Sequence, residues 1–179
     1  MKILIGISSS IAAYRMPNLV SQLTKQGHEI KTIVTESAKA FVTTQALAVM
    51  SKNPCFSDAD EWGNTEHVVH IELAKWCDLF LLAPLTANTL AKIANGLCDN
   101  LLTSTVRAMS EKPLILAPAM NTSMWENPLT ARHIRQTAEF YDVTLISPVS
   151  KKLADGDQGM GGLAEDETIL RTIEKVSLK

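Results

Sequence analysis

The sequence predicts a three-layer α/β fold, in which helices cover both faces of a parallel sheet. Short apolar runs, typical of buried strands, alternate along the chain with stretches of helical periodicity. Because strands that alternate with helices pair in parallel through right-handed crossovers, we expect a Rossmann-like (flavodoxin-like) sheet. A length of 179 residues favours a single domain over 1–179.

The strands are predicted from runs of leucine and β-branched residues that end in glycine, serine, threonine or proline. These runs are Lys2–Gly6, Glu29–Val34, Asp78–Ala83, Pro113–Ala117 and Val143–Ile146.

The helices are predicted from apolar residues at helical spacing, with capping residues at several of their starts. They cover Ile11–Gln26, Ala38–Met50 with a break near Thr43, Ala87–Asn95, Asn100–Met109, Pro128–Phe140 and Asp166–Val176. Ser37 is predicted to cap the second of these helices. Residues 51–65 show no clear period, so they are predicted to form an irregular connection.

Composition narrows the class of protein. The formal net charge is only -2, so we expect no nucleic-acid partner. No apolar run approaches the length of a membrane span, so we expect no membrane partner. The three cysteines have no CxxC spacing, which favours a reducing, cytoplasmic setting. We find no residue pattern that predicts a metal site.

The first strand is followed by a turn of small and hydroxyl-bearing residues. Gly6 allows close approach of the backbone, and Ser8 and Ser10 add donors where a helix begins, which suits a phosphate. Thr35 and Ser37 form a second such turn after the second strand. The GxGxxG pattern of dinucleotide-binding proteins is absent. The alternative is that these residues only cap helices.

Two further loops begin with proline at strand ends. Pro84, Thr86, Ala87 and Asn88 offer small side chains and an amide to a planar ring, although a simple strand-to-helix turn would look the same. The second loop runs from Pro118 to Trp125.

In this second loop, Asn121 carries both donors and an acceptor, so it is suited to hold a carboxylate or carbonyl group. Met120 and Met124 provide a polarizable apolar wall, although methionines at this spacing are usually core residues.

His70 begins a short helical stretch, where the helix dipole disfavours the charged imidazole and suits a neutral base. The alternative is a surface or capping histidine, and His67 is a competing candidate. Later in the chain, Ala154–Gly162 contains four glycines. This segment is predicted to close over a substrate, or else simply to connect to the last helix.

Taken in order, these segments resemble the flavin-dependent cysteine decarboxylases. This family includes phosphopantothenoylcysteine decarboxylases of coenzyme A synthesis and peptidyl-cysteine decarboxylases of lantibiotic maturation. The resemblance runs almost from end to end and is most specific at His70–Ala74, Pro84–Thr89 and Pro118–Trp125.

The resemblance implies an FMN cofactor, a small cysteine-containing substrate, and homotrimers or dodecamers with active sites between subunits. It implies that His70 is the catalytic histidine and that Asn121 holds the substrate carboxylate. Met120, Met124, Ala154 and Gly159 would then line the substrate site. In such enzymes the cysteine carbon bearing sulfur is oxidised first, so that carbon dioxide leaves from a stabilised intermediate.

One position departs from the family pattern. The coenzyme A enzymes have a cysteine in the closing loop as the acid of the final reduction, and this chain has Asp155 there. We therefore expect Asp155 to be the third catalytic residue. Two alternatives stay open: a decarboxylase that stops at the enethiol of a peptide, and a non-catalytic flavoprotein subunit.

Overall fold

The structure is a computed structural model that describes residues 1–62, 67–152 and 158–178, with the side chains of residues 152 and 158 left out. Its central sheet has the strand order β3-β2-β1-β4-β5-β6, and each adjacent pair is parallel. The strands are β1 (Lys2–Ile7), β2 (Glu29–Val34), β3 (Cys55–Phe56), β4 (Leu79–Leu85), β5 (Pro113–Pro118) and β6 (Asp142–Leu145). The predicted Rossmann-like fold class is confirmed.

The chain reverses its direction across the sheet between β1 and β4. From β1 it builds outward to β2 and β3, and it then returns to place β4 on the other side of β1. In open parallel sheets, ligands bind at the carboxyl ends of the strands where the order reverses in this way. The fold therefore points to the loops that follow β1 and β4.

Helices cover both faces of the sheet. They are α1 (Met16–Lys25), α2 (Thr44–Ser51), α3 (Asp58–Trp62), α4 (Val69–Trp76), α5 (Ala87–Ala94), α6 (Leu101–Ala108), α7 (Thr122–Trp125), α8 (Pro128–Ala138) and α9 (Asp166–Ser177). Side chains of α1, α2 and α9 belong to the core on one face, and side chains of α4, α5 and α6 belong to the core on the other.

The strands contribute to both cores by alternation. Ile3 and Ile5 of β1 pack in the first core, whereas Leu4 packs in the second. Successive side chains of a strand point to opposite faces, so a strand covered on both sides needs an unbroken apolar run. This requirement explains why strands covered on both faces could be predicted from the sequence.

Two predicted helices differ in detail. The helix predicted from Ile11 begins as a 3-10 helix over Ile11–Arg15 and becomes α-helical only at Met16. Pro17 has no N–H to continue an α-helical ladder, which explains the change. Ser37 lies inside a 3-10 helix over Glu36–Ala40 instead of capping α2.

The predicted break near Thr43 is confirmed. The Thr43 side chain caps α2 by accepting a hydrogen bond from the backbone of Ala46 at 3.1 Å.

The connection predicted over 51–65 contains β3 and α3, so that prediction was wrong. The sequence carries a usable signal for α3: Ser57 is followed three residues later by Asp60, as in a capping box. In the structure the Asp60 carboxylate accepts from the Ser57 backbone N–H at 2.7 Å.

The glycine-rich segment ends in a strand. β7 (Val149–Lys152) and β8 (Gln158–Gly162) form an antiparallel hairpin that is separate from the main sheet. The middle of the predicted closing segment, with Ala154 and Asp155, lies outside the described residues.

Candidate functional site

A cleft of about 280 Å³ lies at the carboxyl ends of β1, β4 and β5. It is lined by Ser9, Ser10, Thr86, Ala87, Asn88, Ala119, Met120 and Met124. Three of the loops selected from the sequence thus meet at one place. Parallel strands bring their following loops to the same edge of the sheet, and the order reversal between β1 and β4 opens space between them.

The buried Ser8 side chain joins two of these loops. Its hydroxyl donates to the Pro84 carbonyl at 2.7 Å and accepts from the Thr86 backbone N–H at 2.9 Å. Its backbone N–H also donates to the Pro84 carbonyl, at 3.2 Å. In this structure the Ser8 hydroxyl therefore positions the two turns relative to each other, and its predicted place in the cofactor site stays a prediction.

Gly6 also has a packing role that the sequence did not predict. A Cβ atom at Gly6 would lie 2.7 Å from the Leu82 side chain and 3.0 Å from that of Leu102. The glycine therefore lets β1 pack closely against β4 and α6, and its place in the cofactor site stays a prediction.

The turn after β2 contains an unpaired buried hydroxyl. Thr35 Oγ1 is buried without a hydrogen-bond partner among the described residues, and the Thr35 backbone N–H donates to Ile7 at 3.1 Å. A buried polar atom of this kind is expected to have a partner, so its environment suits a bound ligand. Ser37 is exposed, two residues further along the chain.

The loop after β4 begins α5. Thr86 caps this helix by accepting from the Thr89 backbone N–H at 3.3 Å. The Ala83–Pro84 peptide bond is cis, and β4 extends through Pro84 to Leu85, beyond the predicted end of the strand. Ala87 and the exposed Asn88 then face the cleft.

The loop after β5 is held on both sides. The Ala119 backbone N–H donates to the Leu85 carbonyl of β4 at 3.0 Å. The Met120 backbone N–H donates to the Gly161 carbonyl of β8 at 2.9 Å. Asn121 Oδ1 accepts from the Ser123 backbone N–H at 2.8 Å, which orients the carboxamide. Met124 is 49% exposed at the cleft.

The β7–β8 hairpin packs closely on this loop through its glycines. A Cβ atom at Gly159 would lie 2.3 Å from Thr122 Oγ1, and one at Gly161 would lie 2.1 Å from the Met120 carbonyl oxygen. Gly159 thus lets the hairpin pack on α7, and its predicted place in the substrate site stays a prediction.

Arg15, which the sequence analysis missed, connects the first turn to the segment that follows the hairpin. Its guanidinium donates to the carbonyls of Leu163 at 3.0 Å and Ala164 at 2.9 Å, and it pairs with Asp166. A lone arginine after the first turn gave no signal of this long-range contact.

His70 lies on α4, at the same edge of the sheet as the cleft. The far end of α4 is fixed at the opposite edge, where Lys112 Nζ donates to the carbonyls of Ala74, Lys75 and Cys77 at 2.6–2.8 Å. From there α4 extends about 12 Å in the direction of the carboxyl ends of the strands, and His70 lies in its first turn. His70 is nevertheless not one of the described residues that line the cleft.

The imidazole of His70 contacts a carboxylate that the sequence analysis missed. His70 Nδ1 lies 2.5 Å from Glu61 Oε1, and the His70 backbone N–H donates to Glu61 Oε2 at 3.0 Å. The competing candidate, His67, pairs with Glu72 at 2.7 Å, and both of these side chains are more than half exposed.

The three cysteines lie away from the cleft lining. Burial raises the pKa of the Cys55 thiol in β3 and of the Cys77 thiol after α4. Cys98 is exposed between α5 and α6. No helix among the described residues is long and apolar enough to cross a membrane.

A parallel sheet with this cleft at its point of order reversal is an architecture that binds nucleotide-like ligands, and residues 1–178 match the model of the Flavoprotein family. A phosphopantothenoylcysteine decarboxylase of Mus musculus is 48% identical over 181 residues, covering 98% of this chain and 86% of the relative. The chain therefore belongs to the phosphopantothenoylcysteine decarboxylase group of the Flavoprotein family. The resemblance inferred from the three motifs is confirmed.

Solved structures agree with this assignment. A cysteine-to-serine mutant of PPC decarboxylase, complexed with pantothenoylaminoethenethiol, superimposes with a TM-score of 0.92 at 43% identity, covering 99% of this chain and 98% of that one. The FMN binding protein AtHal3 superimposes with a TM-score of 0.85 at 43% identity, covering 97% of this chain and 95% of that one. The peptidyl-cysteine decarboxylase EpiD superimposes with a TM-score of 0.81 at 30% identity, covering 97% of this chain and 98% of that one.

The contact between the hairpin and the Met120–Asn121 loop predicts the effect of Gly161→Ala. The new methyl group would overlap the Met120 carbonyl at a backbone φ of +149°, so the hairpin must move away from the loop. We expect the free energy of unfolding to fall by about 2–4 kcal/mol in urea titrations, from backbone strain and a lost hydrogen bond.

Gly27→Ala is the matched control. Gly27 also has a positive φ, +88°, but a Cβ atom there meets nothing within 4 Å. We expect a loss of only about 1–2 kcal/mol from backbone strain. Equal losses in the two variants would contradict close packing of the hairpin on the loop.

Proposed function

We propose that this chain is an FMN-dependent decarboxylase that converts 4'-phosphopantothenoylcysteine to 4'-phosphopantetheine in coenzyme A biosynthesis. The observation that carries the proposal is the match to the mouse phosphopantothenoylcysteine decarboxylase, at 48% identity over 98% of this chain. We also propose that residues 1–179 act as one flavoprotein domain and that the enzyme works in the cytoplasm.

FMN is the cofactor, and the residues present fit it. The buried hydroxyl of Thr35 lacks a protein partner among the described residues, as expected of a group that binds a ligand. Ser10 and the backbone of the first turn would hold the phosphate at a helix start. Ala87 and Asn88 would lie against the ring, where small side chains leave room for it.

When bound, FMN supplies the electron acceptor that oxidises the sulfur-bearing carbon of the substrate. The chain's own residues bind and orient the substrate. Asn121, whose carboxamide is fixed by Ser123, would hold the carboxylate that leaves. Met120 and Met124 would pack against the thiol-bearing portion of the substrate. His70 would accept the thiol proton that is released when the sulfur-bearing carbon is oxidised.

The proposal predicts both the colour and the activity of the protein. Purified protein should bind FMN, with absorption bands near about 375 and 450 nm, and should release carbon dioxide from the substrate. His70→Asn should keep the flavin bands and lower kcat by about 10²- to 10⁴-fold, because a positioned base is lost. His67→Asn is the control and should leave kcat unchanged, since His67 is exposed and pairs with Glu72.

Two outcomes would overturn this reading. Colourless protein that takes up no FMN in a titration would remove the cofactor and the reaction together. A His70→Asn variant as active as the wild type would instead support a site that does not depend on this histidine.

A second candidate function is oxidative decarboxylation of a peptide C-terminal cysteine that stops at the enethiol. Asp155 in place of the loop cysteine favours it, and the structural match to EpiD is compatible with it. Cys55 and Cys77 do not take the place of the missing acid, because they lie in β3 and after α4 and neither lines the cleft.

The mass of the product separates the two functions. If Asp155 supplies the final proton, wild-type protein should yield a product lighter than the substrate by about 44 Da, whereas Asp155→Asn should yield one lighter by about 46 Da. Asp157→Asn, two residues away, should behave as the wild type. A loss of about 46 Da from wild-type protein, or the same product from Asp155→Asn as from wild type, would remove the role of Asp155.

We propose that the active site forms between subunits of a homotrimer, which can assemble further into a dodecamer. Supporting this, His70 is not one of the described residues that line the cleft. Trp62, which follows Glu61, and Val68, two residues before His70, are 81% and 53% exposed. Exposed aromatic and aliphatic residues beside a catalytic group suit an interface that completes the site.

A shared site predicts complementation between two inactive variants. Subunits with His70→Asn keep an intact Asn121, and subunits with Asn121→Ala keep His70. Mixed trimers from co-expression should recover about a quarter of the sites if each site uses both subunits and mixing is random. If the activity of the mixed trimers is no greater than the summed activities of the two separate variants, the whole site lies within one subunit.

A further inference from the structure

We propose that Glu61 is a positioning residue that holds His70 in one tautomer and leaves Nε2 as the nitrogen that accepts the proton. The inference rests on the proposed function for its effect on turnover, although the tautomer itself can be measured without substrate. It deepens the assignment of the base by naming the group that orients it.

Glu61 makes two contacts with the same residue. Its Oε1 atom lies 2.5 Å from His70 Nδ1, and its Oε2 atom accepts from the His70 backbone N–H at 3.0 Å. With both oxygens accepting, the proton between Glu61 and the ring belongs on Nδ1. In the neutral imidazole, Nε2 then has a free lone pair, as a base requires.

Burial strengthens this constraint. The Glu61 side chain is 8% exposed, whereas that of His70 is 27% exposed. A carboxylate that is nearly buried needs hydrogen-bond donors, and His70 provides two of them. The Glu61 carboxylate lies against the first turn of α4, where the positive end of the helix dipole adds a favourable interaction.

The short helix α3 that carries Glu61 is fixed by the side chains of two residues that precede the glutamate. Asp60 accepts from the Ser57 backbone N–H at 2.7 Å, and Asp58 accepts from the Leu101 backbone N–H at 2.8 Å, at the start of α6. α3 is therefore tied to a core helix, and the carboxylate has a defined position relative to α4.

A purely structural role has to be considered, because Val68 gives α4 no side-chain cap and Glu61 could simply cap the helix from a distance. Glu61→Gln separates the two roles. The amide oxygen of glutamine can still accept from the His70 backbone N–H, but its NH₂ group then faces Nδ1 as a donor. The cap is kept and the tautomer is reversed.

The chain contains a matched control. Glu72 contacts the ring of His67 through the same pair of atom types, Oε1 and Nδ1, at 2.7 Å, on the same helix but in solvent. Glu72→Gln therefore removes an equivalent carboxylate without altering the surroundings of His70.

The experiment is nitrogen NMR of protein with labelled histidines, of which the chain has four, together with steady-state kinetics. We expect neutral His70 to carry its proton on Nδ1 in wild type and in Glu72→Gln, and on Nε2 in Glu61→Gln. We expect Glu61→Gln to lower kcat by about 10- to 100-fold with KM nearly unchanged, since orientation of the base is lost and binding is kept.

Each result decides the proposal. A proton on Nε2 of His70 in the wild type overturns it, whether or not the variant folds, and so does a kcat for Glu61→Gln equal to that for Glu72→Gln. If wild-type protein does not turn over the substrate, the proposed function fails, and the NMR result still shows separately whether Glu61 sets the tautomer.

Discussion

The site depends on one buried hydroxyl, that of Ser8, which joins the turns after β1 and β4. These turns follow adjacent strands on the two sides of the point where the sheet order reverses. A polar group inside a protein must be paired, and Ser8 is paired on both its donor and its acceptor side. The first turn and the start of α5 are thereby fixed relative to each other, and the cleft takes its shape from that distance.

Most of the fold was predictable from the sequence because a parallel sheet covered on both faces demands continuous apolar strands. β1, β4 and β5 show that demand directly, and the loops that follow these three strands carry the residues that line the cleft. β3 was not predictable in the same way, since two residues at the sheet edge leave no apolar run to recognise.

The contacts that orient the site residues were harder to predict because they join distant parts of the chain. Glu61 meets His70 across nine residues and Arg15 meets Ala164 across 149, and neither spacing corresponds to a helix or strand period. Gly6 and Gly159 show a related difficulty. Each lies in a segment that also faces the site, but its missing side chain serves close packing, which only the three-dimensional neighbours reveal.

Among the described residues, the β7–β8 hairpin shares no strand ladder with the six-stranded sheet. Gly161 packs on the Met120–Asn121 loop and accepts a hydrogen bond from the Met120 backbone N–H, and Gly159 packs on Thr122 of α7. Insertions or exchanges in the hairpin would therefore leave the hydrogen bonds of the main sheet and the turn after β1 intact. Such separation makes the hairpin a replaceable segment beside the cleft. It offers a physical reason why one architecture serves both pantothenoyl and peptidyl cysteine compounds among the solved structures.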